Sequence, residues 1–259
     1  MRKAAMKIGW CGPLDQAAAI AKAGYDFIEV QLAPLGLEDR ASFAASKRAI
    51  SACPLPCSAF NLFLPRDMCV VGDAIDAKRI KAYLAHAAEI LALAQAEIVV
   101  FGSGRARNIP DGFDRAKAEA QFIEALHWSA DALVGTDTTL VIEPLNRKEA
   151  NIVNSVAEGV RFAKAVDRLE IRVLADFYHM DEEREPLSEI AVHAAWLSHI
   201  HLADTGRFNP GTGHYDYATF FAHLKASGYA GRLSVECSVK NPDADMRSSL
   251  AFLRQHWPL

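Results

Sequence analysis

The sequence has no CxxC pair, and its five cysteines, Cys11, Cys53, Cys57, Cys69 and Cys237, are odd in number and scattered. A disulfide framework and a zinc ribbon are therefore not indicated, and the thiols read as reduced. No apolar run approaches the roughly 20 residues of a membrane span. No signal-peptide pattern precedes "KIGWCG", so we expect a cytoplasmic protein with no membrane partner. A basic excess is also missing: 32 Asp+Glu outnumber 28 Lys+Arg, for a net charge of −4. Duplex-binding proteins carry the opposite balance, so nucleic acid is not an expected partner. After the first strand-like run the chain reads "WCGPLDQ", not GxGxxG. The usual signature of a doubly wound dinucleotide fold is thus absent there, and "FGSGRARN" after the fourth run is only a short imitation. Pro/Gly/Ser-rich linkers and low-complexity tracts are lacking as well, which leaves one domain spanning residues 1–259.

What the chain does contain is alternation. Apolar, β-rich runs recur at 7–12, 25–32, 56–64, 96–104, 138–145, 171–179, 198–204 and 231–238. Ala-rich segments with helical spacing lie between them. In "AIDAKRIKAYLAHAAEILALAQ" (74–95), Ile75, Ile80, Tyr83, Leu84, Ala87, Leu91 and Ala94 share one face. Ser155 and Glu158 form a capping-box pattern ahead of 155–167, and the segment 216–228 starts on Asp216 and ends on Gly228. Eight strands alternating with about eight helices predict the α/β class and a single-domain (β/α)8 TIM barrel.

In such a barrel the chemistry sits at the C-terminal strand ends. Four successive strands end on Glu143, Asp176, His201 and Glu236, at spacings of 33, 25 and 35 residues, about one β/α unit each. Each carboxylate follows an apolar run, and buried acids are rare unless paired or bound to a cation. Three carboxylates and one imidazole in one mouth predict a single divalent metal ion held by Glu143, Asp176, His201 and Glu236. Such oxygen-rich ligands suit Mn²⁺ first, with Mg²⁺, Co²⁺ or Zn²⁺ as alternatives. His199 lies two residues earlier on the same strand face and reads as a hydrogen-bonded core histidine beneath the metal. Glu149, His179 and Arg207 follow strand ends by a few residues and could hydrogen-bond the oxygens of a polyol. Trp10, Glu29, Phe60 and Asn61 lie near the first three strand ends, as pocket walls or as core. His214, beyond the "NPGTG" turn, reads as loop packing or as exposed. A metal chelating an α-hydroxy ketone would acidify the adjacent C–H, leaving Glu143 and Glu236 to remove and return a proton.

The stretches "VIEPLNRKEA", "LADFYHM", "HIHLADTGRFNPGTGHYDY" and "GYAGRLSVE" resemble the xylose-isomerase-like barrel superfamily of sugar phosphate isomerases and epimerases. That group includes ketose 3-epimerases, hydroxypyruvate isomerase and inosose-processing enzymes. The resemblance covers nearly the whole chain. It implies the same four metal ligands, and substrate contacts on Glu149, His179 and Arg207. Ketose 3-epimerases tend to have Glu where this chain has Asp204, and hydroxypyruvate isomerases tend to have Gln where it has His201. The expected activity is a metal-dependent sugar isomerase or epimerase acting on a ketose or related keto-sugar, as a homodimer or homotetramer. A dehydratase acting on an inosose or dehydroshikimate-type substrate and a noncatalytic sugar-binding subunit are the alternatives. A nuclease of the endonuclease IV type would need more histidine ligands and a basic surface, whereas His86, His127, His193 and His223 fall on expected helices.

Overall fold

Eight strands, β1 (Ile8–Gly12), β2 (Phe27–Gln31), β3 (Ala59–Asn61), β4 (Ile98–Phe101), β5 (Thr139–Ile142), β6 (Ile171–Asp176), β7 (Leu197–Leu202) and β8 (Arg232–Val235), follow one another round a closed parallel barrel. The computed structural model describes residues 6–257. Residues 1–5 and 258–259, with the N-terminal stretch read for a signal peptide, lie outside the described residues. Among the described residues no helix is long and apolar enough to cross a membrane.

The (β/α)8 barrel expected from the alternation is present, with local departures that have physical causes. β3 is only Ala59–Asn61, because Leu62 takes a left-handed conformation (φ 46°) that turns the chain out of the sheet. The long helix expected at 74–95 runs Ala77–Ala94, since the Asp76 carboxylate accepts from the Arg79 N–H and caps it there. Ile75 thus precedes the helix, and Ile90 joins the buried face. Ser155 caps its helix as expected, but Glu158 accepts from the Asn154 N–H rather than from Ser155, so the capping box is displaced by one residue. Short helices Gly104–Arg107 and Phe177–Glu182 directly follow β4 and β6 and interrupt strict alternation. His193 falls just after the helix Glu189–Val192 rather than on one.

Strand parity decides what faces the barrel axis. Phe27, Ala59, Ile98, Val100, Val141 and Leu174 form a separate buried cluster inside the barrel. One inward step further along five of these strands come Glu29, Asn61, Gly102, Glu143 and Asp176. The lower barrel is therefore a dry apolar plug, and the next layer is polar. Trp10 and Phe60 have the other parity and belong to the large cluster between barrel and helices, so they are core residues. Gly9 leaves space for the plug: a Cβ there would meet the Phe27 ring at 2.2 Å.

Phe27 is fully buried at the centre of that plug. We expect Phe27→Ala to cost about 3–5 kcal/mol, the range for an aromatic truncated in a packed interior. The denaturation midpoint checks this, and an unchanged midpoint would show that the plug does not support the barrel.

Candidate metal centre and active site

Glu143, Asp176, His201 and Glu236 meet at the barrel mouth. The sheet ladder holds their backbones there: the Glu143 N–H donates to the Phe101 carbonyl and the Glu236 N–H to the Leu202 carbonyl. Asp176 and His201 are register partners. His201 Nδ1 lies 3.2 Å from Glu143 Oε1, and 3.8 Å from both Asp176 Oδ2 and Glu236 Oε2. One ligand atom from each of the four residues lies within 4.8 Å of all the others. Ligands bound at about 2.0–2.6 Å are separated by about 3–5 Å, so this cluster could bind a metal ion. Asp176 is prepared for such a role, because its Oδ1 caps the next helix by accepting from the Tyr178 and His179 N–H groups. Its Oδ2 is the oxygen turned to His201.

The site is tightly fitted. Gly102 occupies the inward position of β4 level with the acids, where a Cβ would come within 1.7 Å of Glu143 Oε2. Arg107, fully buried, donates to the carbonyls of Phe101 (2.9 Å) and Glu143 (2.5 Å), tying the ends of β4 and β5 together. Burial pushes its guanidinium down to about 10, against the opposing pull of Glu143. Burial likewise pushes the Glu143 carboxyl above its ordinary value. Burial would depress His201, but the surrounding Glu29, Cys11 and Glu236 outweigh it and hold the imidazole well above its ordinary value.

A chain of hydrogen bonds rings the mouth. The Asn146 backbone N–H donates to His179 Nδ1 (3.1 Å), and the Asn146 side chain donates to Glu149 Oε1 (3.1 Å). Arg207 donates to Glu149 (3.1 Å) and to Glu236 Oε2 (2.7 Å), and Asn61 donates to Glu236 Oε1 (2.9 Å). Glu149, His179 and Arg207, picked out by their offsets from strand ends, are thus brought into one network with Glu236. Because His179 Nδ1 accepts, its proton sits on Nε2, which is buried without a protein partner; Asn61 Oδ1 is a second such atom.

Arg207 reaches this ring from a loop with a built frame. Its own backbone is left-handed (φ 62°), and the Ser238 N–H donates to its carbonyl at 2.7 Å. Asp204 is 1 % exposed and accepts from the N–H groups of Thr205, Gly211 and Tyr215. Burial opposes its ionisation, but these backbone donors prevail and its pKa lies below the ordinary value. Its carboxylate therefore knots the "NPGTG" loop. A Cβ at Gly213 would lie 2.3 Å from Asp204 Oδ1. His214 is exposed on the same loop.

Sequence reasoning passed over Asn146, Gly102 and Arg107. Asn146 lies in "VIEPLNRKEA" and Arg107 in "FGSGRARN", but only the folded chain shows their partners.

The chain matches the xylose isomerase-like TIM barrel over residues 17–256. It belongs to that family. A 3-dehydro-D-guloside 4-epimerase of Escherichia coli (strain K12) is 35% identical over 123 residues, covering 46% of this chain and 47% of that one, so the alignment spans about half the relative. An L-ribulose 3-epimerase of Methylomonas sp. (strain DH-1) is 29% identical over 253 residues, covering 95% and 86%. The apo crystal structure of a 3-keto-D-glucoside 4-epimerase from E. coli superposes with a TM-score of 0.81 at 25% identity, covering 97% and 100%.

Two outcomes follow for this member of the family. Gly102→Ala forces the Glu143 carboxylate aside, so divalent-metal affinity should fall at least tenfold while the circular dichroism spectrum is kept; equal affinity would mean the carboxylate has another place to go. Glu29, Cys11 and Glu236 hold the His201 imidazole well above its ordinary value, so an ion that takes its Nδ1 must displace a proton. Metal uptake should release protons, and apparent affinity should rise with pH. Calorimetry in buffers of different ionisation enthalpy reads both, and a pH-independent affinity contradicts the assignment.

Proposed function

We propose that the chain is a metal-dependent sugar epimerase or isomerase acting on the α-hydroxy ketone of a ketose or related keto-sugar. The observation that carries this reading is the convergence of three carboxylates on His201 Nδ1 within a ring of hydrogen-bonding side chains. The related epimerases support it. Inverting C4 beside a 3-keto group and C3 beside the ketone of ribulose both require proton transfer at a carbon next to a carbonyl.

In this reading Glu143, Asp176, His201 and Glu236 hold one divalent ion, with Mn²⁺ the first choice and Mg²⁺, Co²⁺ or Zn²⁺ the alternatives. When bound, the ion supplies Lewis-acid polarisation of neighbouring carbonyl and hydroxyl oxygens. Glu143 and Glu236 stand just past β5 and β8, on different sides of the mouth. One, ionised, takes the proton from the carbon beside the carbonyl to leave an enediolate, and the other, entering the step protonated, delivers its own proton to the opposite face, the two carboxyls resetting by exchange with solvent. Return to the adjacent carbon gives isomerisation instead. Asn61 and Arg207 fix both oxygens of Glu236 for this task. His179 offers its Nε2–H to a substrate oxygen, Asn61 Oδ1 can accept from a hydroxyl, and Glu149 and Arg207 bind further hydroxyls at the rim. We further propose that residues 1–259 act as one domain, in the cytoplasm, as a homodimer or homotetramer.

Turnover in D₂O tests the reading. A carboxylic acid reached by solvent between half-reactions exchanges its proton, so product and recovered substrate should carry deuterium beside the carbonyl, with no loss of water from the product. Glu143→Gln and Glu236→Gln should each abolish turnover, with metal content measured alongside. A product lighter by one water would instead make the chain a dehydratase. Absence of exchange with every ketose and keto-glycoside tried, metal present, would make it a binding subunit.

A further inference from the structure

On the side of His201 away from Glu143, Asp176 and Glu236, Glu29 joins it to His199, and neither Glu29 nor His199 has a part in the proposed proton transfer. Glu29, His199 and His201 are each 0 % exposed. Glu29 Oε1 lies 2.8 Å from His201 Nε2, and Glu29 Oε2 lies 2.8 Å from His199 Nε2. The two rings stand edge to face, 5.2 Å apart. From this geometry we infer that Glu29 is a positioning residue that commits His201 to ligate metal through Nδ1, with His199 anchoring the other carboxylate oxygen.

An ionised carboxylate only accepts, so both imidazole nitrogens that face Glu29 must be N–H donors. For His201 this keeps a proton on Nε2, so the nitrogen that gives up its proton to an ion would be Nδ1, the one turned toward Glu143, Asp176 and Glu236. The same logic gives His199 a lone pair on Nδ1, in agreement with the finding that this atom is buried without a partner. An unpartnered acceptor costs less than an unpartnered charged group would, and Ser234 Oγ lies 3.3 Å from His199 Nε2, the nitrogen that faces Glu29. Cys11 is the other side chain grouped with Glu29 and His201 at this level. Phe27, one inward step below Glu29, closes the lower barrel with apolar surface. Glu29 also places a negative charge directly behind the ligand, which raises the donor strength of the opposite nitrogen.

An amide at position 29 breaks this arrangement. Its single oxygen can accept from only one histidine, and its NH₂ must face a lone pair on the other. If that other is His201, the proton moves to Nδ1, where the ion would bind. If it is His199, His201 keeps its tautomer but loses the anion behind it. Either way affinity for the ion falls by ~10–100-fold, the usual effect of losing such an outer hydrogen-bond partner.

The inference rests on the four-residue metal reading, and the experiment separates the two. Mn²⁺ is titrated calorimetrically into metal-free wild-type protein and Glu29→Gln, with melting temperatures of both metal-free proteins measured in parallel. A Kd weakened by ~10–100-fold in a folded variant supports the role of Glu29. An equal Kd in both proteins overturns that role alone, and wild-type protein that binds no Mn²⁺ overturns both readings. Should Glu29→Gln fail to fold, the wild-type chain still decides. In the Zn²⁺-loaded, diamagnetic protein, long-range ¹H–¹⁵N spectra should show His201 protonated at Nε2 and bound at Nδ1. The reverse pattern refutes the inference.

Discussion

The negative charge gathered round one imidazole constrains much of the rest of this structure. Glu143, Asp176, Glu236 and Glu29 all lie within 4 Å of a His201 ring nitrogen, in a site from which water is largely excluded. Like charges at such separations repel strongly in a low-dielectric setting, so the arrangement persists only with opposing charge and hydrogen bonds at hand. Arg207 supplies one positive charge from above, and Arg107 another from the side through the strand-end carbonyls. The proposed divalent ion would supply the remainder.

Meeting that constraint explains the otherwise odd positions. Gly102 is there because a methyl group would displace Glu143. The left-handed backbone at Arg207 is tolerated because it brings the guanidinium back over the mouth, against the Tyr178 ring. Asp204 spends a buried carboxylate on three backbone N–H groups, and thereby holds the loop from which Arg207 projects. The rim of the mouth is assembled from residues at and beyond the ends of β3, β5, β6, β7 and β8, and their shared hydrogen bonds make one ring from separate segments.

The parity of the strands separates what is inside from what is outside. Phe27 and Glu29 differ by one inward step and so do Val141 and Glu143, yet one member of each pair is in the apolar plug and the other in the polar layer above it. Trp10 and Phe60 stand beside such residues in the chain and face away from them, into the layer beneath the helices. A pocket assignment for these two, open on sequence grounds, fails for this reason alone.

The sequence by itself determined the architecture and the four converging donors. Eight apolar runs spaced by amphipathic helices leave few folds other than a closed parallel barrel, and an acid or histidine at each of four successive strand ends must meet at its mouth. Offsets of a few residues were also enough to pick out Glu149, His179 and Arg207. The sequence could not decide the partners, because they come from residues far apart in the chain. Asn61 and Glu236 are 175 residues apart, and Glu29 and His201 are 172 apart. Arg107 gave no sign of lying under Glu143, because an arginine in a glycine-rich loop reads as exposed until the fold buries it. Glu29 read equally well as pocket or core, and its pairing with His199 and His201 appeared only when barrel closure brought β2 across from β7. Local pattern sets which way a side chain points, and tertiary closure alone sets what it meets.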